Sequence, residues 1–185
     1  MKDFLLKKYL SNTKIQLHAY VLKDIIEEIN ENTRLLVWGL GYDSELWWNV
    51  TNKNTYFIES EDEYINMNTF IPDTHIIKYT YPSMSVIKSL TQPDKVETTK
   101  IPESIKNLGL FDVIIVDGPN GNSNSSPGRQ LPIYWSINHL SKPNTLIYMD
   151  DTNRKLETLC IKRYCKSENI VKRFHHRKGS IKYKV

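Results

Sequence analysis

Three aspartates stand where apolar runs give way to loop. Asp117 closes Phe111 to Val116, and Asp150 with Asp151 close Thr145 to Met149. Carboxylates brought together without a cation repel one another and push at least one pKa upward. A divalent ion removes that penalty, and an all-oxygen donor set selects magnesium, manganese or calcium over zinc. Held by Asp117, Asp150 and Asp151, such an ion would polarise a substrate hydroxyl, as bound metals bring the pKa of water from about 15.7 to about 7. The same residues also cap helices and form turns, so Asp150 or Asp151 as a cap and Asp117 as a turn former is the alternative. Arg129 offers a bidentate clamp for a carboxylate or phosphate, or a partner for a surface acid. His175 and His176 alternate near the C-terminus, so one can face the site; His139 reads as structural. Trp38, Trp47, Trp48 and Trp135 read mostly as core, with one available as a sugar-stacking wall.

A second constellation is Gly39-Leu40-Gly41-Tyr42-Asp43-Ser44. Its glycines permit a sharp turn and close ligand approach, and the helix start that follows offers unpaired amides. Glu59 comes 18 residues after Gly41, at the end of the next strand, where an acid accepts hydrogen bonds from ribose hydroxyls. The third glycine of the dinucleotide fingerprint is missing, which counts against NAD. A plain strand-to-helix turn explains the two glycines alone; the acid at that distance favours a nucleotide-like ligand.

These positions presuppose elements that present them. Apolar residues from Ile15 to Ile29 recur at helical spacing and predict a helix from Thr13 to Asn30. Arg34 to Trp38, Thr55 to Ile58, His75 to Tyr79, Phe111 to Val116 and Thr145 to Met149 read as buried strands. Helices are expected through Trp47 and Trp48, capped by Asp43 or Ser44, then over Asp62 to Asn68, Gln130 to Leu140 and Asn153 to Cys165. Tyr81 to Asn107, with Pro82, Pro93 and Pro102, mixes short helices with loop. Asn120 to Pro127 is a polar loop, expected to be exposed and mobile. Asn169 to His175 and Ser180 to Val185 form a hairpin. Strands alternating with helices give a mostly parallel α/β sheet covered on both faces, whose ligands bind beyond the carboxyl ends of the strands.

The 185 residues fit one domain, with residues 1–32 as a helical lead-in, and neither repeats nor a linker divide them. Two cysteines, Cys160 and Cys165, are too few for a disulfide framework or a zinc site and read as reduced thiols. No apolar run reaches membrane-spanning length and no signal peptide is legible, so a cytoplasmic protein without a membrane partner is expected. A net charge of +4, from 25 basic and 21 acidic side chains, is a mild bias concentrated after Arg154. Nucleic-acid binders carry a stronger basic stripe, so no nucleic acid is expected.

Three segments in order resemble one family: Leu36-Val37-Trp38-Gly39-Leu40-Gly41-Tyr42-Asp43-Ser44 with Trp47, Asp112 to Pro119 with Pro127-Gly128-Arg129, and Asp151 with Arg154 and Glu157. The family is the glucuronoxylan 4-O-methyltransferase-like (DUF579, polysaccharide biosynthesis) group, and the resemblance covers residues 33–165. It implies a Rossmann-like class I methyltransferase fold that uses S-adenosylmethionine (SAM) to methylate a hydroxyl of a sugar, as glycan or nucleotide-sugar. Carried onto this chain, SAM lies on Gly39, Leu40, Gly41, Asp43, Ser44, Glu59, Asp117 and Gly118. Asp117, Asp151 and Arg129 serve catalysis, with Asp117 the first choice of base and His175 or His176 the outsiders. Asn120 stands where the family has Arg, and Asp150 where it has His. The resulting Asp-Asp pair resembles the Asp-Asn metal pair of catechol O-methyltransferases, with magnesium or manganese as the ion. Two rivals remain. An NAD-dependent sugar oxidoreductase or epimerase would need Tyr-x-x-x-Lys, and Tyr79 to Ser83 and Tyr134 to Asn138 both lack the lysine. The other is a non-catalytic glycan- or nucleic-acid-binding module.

Overall fold

A computed structural model describes residues 6–9, 14–81 and 84–185. Its elements run α1 (Ala19–Glu28), β1 (Leu35–Trp38), α2 (Ser44–Val50), β2 (Thr55–Glu59), α3 (Asp62–Met67) and β3 (Ile76–Lys78). They continue with α4 (Val86–Thr91), α5 (Pro93–Glu97), α6 (Glu103–Lys106), β4 (Phe111–Val116) and α7 (Gln130–Asn138). The last are β5 (Ser141–Asp150), α8 (Lys155–Tyr164), β6 (Ile170–Phe174) and β7 (Ser180–Lys184). One seven-stranded sheet has the order β3-β2-β1-β4-β5-β7-β6. The first five strands pair in parallel, and β7 runs antiparallel between β5 and β6. The expected α/β sheet with a C-terminal antiparallel hairpin is therefore present.

Both faces of the central strands are dry, which is why they read as continuous apolar runs. Leu35 and Val37 of β1, with Val113 and Ile115 of β4, pack among α1 and α2. Leu36, Trp38, Ile114 and Val116 point the other way, onto residues of α4 to α8 such as Val86, Ile105, Trp135 and Leu156. Strand order reverses between β1 and β4, so their carboxyl ends diverge from flanking loops and open a crevice.

Two glycines shape that crevice. Gly39 has φ +110°, and a Cβ on Gly118 would lie 3.0 Å from Gly39 Cα and 3.1 Å from the Trp38 carbonyl oxygen. The backbones after β1 and β4 therefore touch, and Gly118 N–H donates to Trp38 O at 2.6 Å. No side chain fits between them.

The structure corrects several boundaries. The helix expected from Thr13 begins at Ala19; Thr13 lies outside the described residues, and 14–18 is turn, bend and irregular backbone, of which 14–16 line the crevice. His18 Nδ1 accepts the Tyr20 N–H at the helix start. The helix stops at Glu28 because Asn30 and Thr33 bond each other in a turn that feeds β1. Asp43 takes the N-cap position of α2 as expected, though without a side-chain bond to the helix; Ser44 Oγ accepts the Gly41 N–H at 2.9 Å and braces the glycine turn. Polar loop 120–127 is largely exposed as expected, yet is pinned: Ser126 O and Asn124 O accept the first two amides of α4. Pro82 lies outside the described residues.

Far from the crevice, α1 is fixed by charge as well as apolar contact. Buried Asp24 accepts from Tyr148 Oη at 2.7 Å and Lys182 Nζ at 3.0 Å, and also pairs with Lys172; Lys182 reaches Glu28 too. Burial alone would raise the Asp24 pKa, but these donors hold it below the ordinary value. Among the described residues no helix is long and apolar enough to cross a membrane.

The glycine contact sets a first prediction. Gly118→Ala should destabilise the fold by about 1–3 kcal/mol in chemical denaturation, because the obstructing atoms are backbone and cannot swing away. An unchanged midpoint would mean the strand ends separate freely.

Candidate active site

A cavity of about 270 Å³ opens at the carboxyl ends of β1, β2 and β4. Gly39, Leu40, Gly41, Asp43, Glu59, Asp117 and Gly118 all line it, so the two sequence constellations form one site; Arg129, Asp151 and Arg154 close its far end. Ser44 is buried behind the turn. Lys14 to Gln16 and Tyr64 also line the cavity, and no motif marked them.

Glu59 organises the turn. Its Oε2 accepts the Leu40 N–H at 2.7 Å, and Oε1 accepts the amides of Ser60 and Glu61 at 2.6 and 2.8 Å. This buried carboxylate thus spans the ends of β1 and β2 and lines the cavity. Gly41 leaves room for its neighbour: a Cβ there would lie 3.2 Å from Asp43 Oδ1. Asp43 is influenced by Asp117, which lines the same cavity. Burial, then repulsion from Asp117, pushes the Asp43 carboxyl up to about 7. Asp117 is raised as well, by burial first and by Asp150 and Asp151, although Arg129 opposes the rise.

The aspartates at the ends of β4 and β5 meet: Asp117, Asp150 and Asp151 each offer a carboxylate oxygen within 4.8 Å of the others. The cation among them is Arg129. Its Nη2 lies 2.8 Å from Asp151 Oδ2 and 3.2 Å from Asp117 Oδ1, and it also donates to the Asp117 carbonyl. Nη1 donates to Asp150 O at 2.8 Å, and Nε points at Pro119 O. Arg154 approaches the same Asp151 oxygen at 2.9 Å, and Lys178 lies 3.8 Å from the other. With the guanidinium bridging two would-be ligands, the residues as arranged do not fit a divalent ion. The expected juxtaposition of acids is real; its charge is balanced by side chains.

Neither Asp150 nor Asp151 caps α8, whose N-cap is Arg154. Asp151 has φ +58°, a strained conformation for a residue with a side chain, and its carboxylate is gripped by two arginines instead. Glu157, noted only as part of a motif, is buried beside this cluster, and neither of its oxygens has a hydrogen-bond partner among the described residues. Burial raises its pKa. All four tryptophans are buried, which removes the stacking wall; the aromatic rings at the cavity are Tyr42 and Tyr64. His139 is exposed after α7, and His175 is exposed beyond β6. His176 is half-buried against Ser180, outside the cavity lining. Cys160 and Cys165 are free thiols, and burial pushes Cys165 up to about 12, so neither is a nucleophile at neutral pH.

No protein-family profile matches the chain. Among curated proteins it is similar to Protein IRX15-LIKE of Arabidopsis thaliana, 27% identical over 176 residues that cover 81% of this chain and 56% of the relative. It is also similar to Glucuronoxylan 4-O-methyltransferase 1 of the same plant, 28% identical over 149 residues, 66% of this chain and 51% of the relative. The group that the motifs resemble is thus the group the whole-chain comparison finds, and the chain spans about half the length of these relatives. Among solved structures, a Staphylococcus aureus protein assigned as a caffeoyl-CoA O-methyltransferase matches with TM-score 0.56 at 14% identity, covering 100% of this chain and 92% of that one. An O-methyltransferase from Bacillus cereus, in complex with S-adenosylhomocysteine (SAH), matches with TM-score 0.51 at 15% identity over 100% and 88%. The chain has the class I SAM-methyltransferase fold.

Arg129→Met should leave the acid cluster without its central cation and cost about 3–5 kcal/mol of stability at neutral pH. Millimolar manganese should recover part of that loss in the variant, while manganese and EDTA leave the parent melting temperature unmoved. Stabilisation of the parent by manganese would show that the guanidinium yields to a metal.

Proposed function

We propose that this chain is a SAM-dependent O-methyltransferase that methylates a hydroxyl of a sugar. The observation that carries the reading is geometric: Asp43, Glu59 and Asp117 line one cavity around the Gly39–Gly118 contact, at the point where strand order reverses. Asp43, whose carboxyl is pushed up by burial and by Asp117, suits a cationic ligand, and Glu59 and the glycine turn beside it suit that ligand's nucleoside. SAM carries both an ammonium and a sulfonium, and when bound it supplies an already activated methyl group. The names of the glucuronoxylan methyltransferase relatives support a sugar acceptor, for which Asn120, Asn122 and Arg154 of the cavity lining offer hydrogen-bonding groups.

Each residue has a task the geometry permits. Glu59 and Ser44 hold the turn rigid, so that donor and acceptor can be aligned without further ordering cost. Asp117 is the base that takes the hydroxyl proton. Its raised pKa brings it toward the operating pH, where a carboxylate is most effective. Arg129 fixes the Asp117 side chain and main chain together, and Asp151 fixes Arg129. The charge a divalent ion would bring is already supplied by Arg129, and no step requires a metal.

Calorimetry with SAH and a methyl-transfer screen over sugar nucleotides and oligosaccharides test the reading; failure to bind SAH at high micromolar concentration would sink it. Asp117→Asn should lower kcat at least about 100-fold while SAH affinity stays within a few-fold. Unchanged turnover would remove Asp117 as base.

A carboxyl whose folded-state pKa lies above its unfolded value withdraws stability as pH rises between the two. Asp43 therefore burdens the ligand-free protein as pH climbs from about 4 to about 7. Asp43→Asn should stabilise that form at pH 8 on the order of 2 kcal/mol, yet weaken SAH binding at least about tenfold. For the same reason parent affinity for SAH should increase from pH 5.5 to pH 8. A flat profile would separate Asp43 from the cofactor.

A further inference from the structure

Asp150 is the one aspartate of the cluster whose carboxylate is outside the grip of Arg129. Its Oδ1 accepts a 2.6 Å hydrogen bond from Ser180 Oγ, and its buried Oδ2 has no partner among the described residues. Ser180, also buried, lies on β7 directly opposite Asp150 of β5 in the antiparallel register. The same hydroxyl stands 2.8 Å from His176 Nε2. The His176 ring stacks on His18, with centroids 4.4 Å apart, and both rings are half-buried at the surface. An unbroken chain of hydrogen-bonding atoms thus leads from the acid cluster, through the sheet, to an imidazole in reach of solvent.

We propose that Asp150, Ser180 and His176 form the exit path for the proton that methyl transfer releases. This rests on the function proposed above, in which the acceptor hydroxyl loses one proton for each methyl gained. The proton taken by Asp117 passes to Asp150, across a gap of up to 4.8 Å, a separation that a single bridging water can cover. Protonated Asp150 donates to Ser180 Oγ as the serine hydroxyl donates to His176 Nε2. The imidazolium then releases its proton to solvent, and Ser180 turns back to face Asp150. One proton enters and one leaves, and no group changes oxidation state. His176 suits the last position because burial, then His18 and Lys178, lower its pKa, while Asp151 opposes them weakly, so that it sheds protons readily. Asp150 and Ser180 are positioning and relay groups; neither lines the cavity.

Ser180→Ala removes the middle atom alone, and His176→Ala removes the end. Both should lower kcat about tenfold or more with KM and SAH affinity unchanged. Added imidazole should restore turnover to His176→Ala but not to Ser180→Ala, a difference that a merely structural role would not produce. Independently of turnover, NMR titration should show the His176 pKa falling further in Asp150→Asn, which removes the negative charge behind Ser180. An unmoved His176 titration, or unchanged kcat in both relay variants, would overturn the path while leaving methyl transfer intact. A parent protein that binds no SAH and transfers no methyl would instead overturn the function and the path's purpose with it.

Discussion

The five contacts of the Arg129 guanidinium hold together everything that the sheet delivers to one place. Three are to main-chain carbonyls, of Asp117, Pro119 and Asp150, and two are to carboxylates, of Asp117 and Asp151. β4 and β5 end side by side, and loops that leave such ends would splay if only their own backbones restrained them. A planar, permanently charged fork can tie both loops at once, and a flexible ammonium could not. The acids are tolerated at the strand ends because the arginine is there, and the arginine is tolerated in a buried place because the acids are.

That mutual dependence orders the rest of the site. The β1–β4 junction is closed by backbone against backbone at Gly39 and Gly118, and the β1–β2 junction by Glu59 accepting three amides. Each seam of the crevice therefore has its own fastening. Among the described residues, Asp43, lining the cavity, and Asp150 and Glu157, in the acid cluster, have no ion-pair partner.

Much of this was legible before any coordinates. Apolar runs buried on both faces announce parallel strands, and acids at their ends announce where ligands go, because both follow from local composition and the period of the chain. Gly39, Gly41, Glu59, Asp117 and Asp151 stand out that way and line one cavity in the structure, while SAM and a sugar acceptor are what the family resemblance implies. What stayed hidden depends on distant pairings. Arg129 looks like a ligand clamp in sequence because nothing local says that its charge is spent on Asp117 and Asp151. Ser180 looks like a turn residue, since only the β5–β7 register puts it on Asp150. The late start of α1 also has a tertiary cause: residues 14–16 serve the cavity rim and forgo the helix that their apolar spacing suggests.

The ion network around Asp24 couples distant parts of the chain. Asp24 finds Lys182 across 158 positions of chain, and Lys172 across 148. Without β6 and β7 in place, burying Asp24 would leave its carboxylate without either lysine. Docking of α1 and of β7 is therefore coupled, each supplying the charge that makes burial of the other's side chain tolerable.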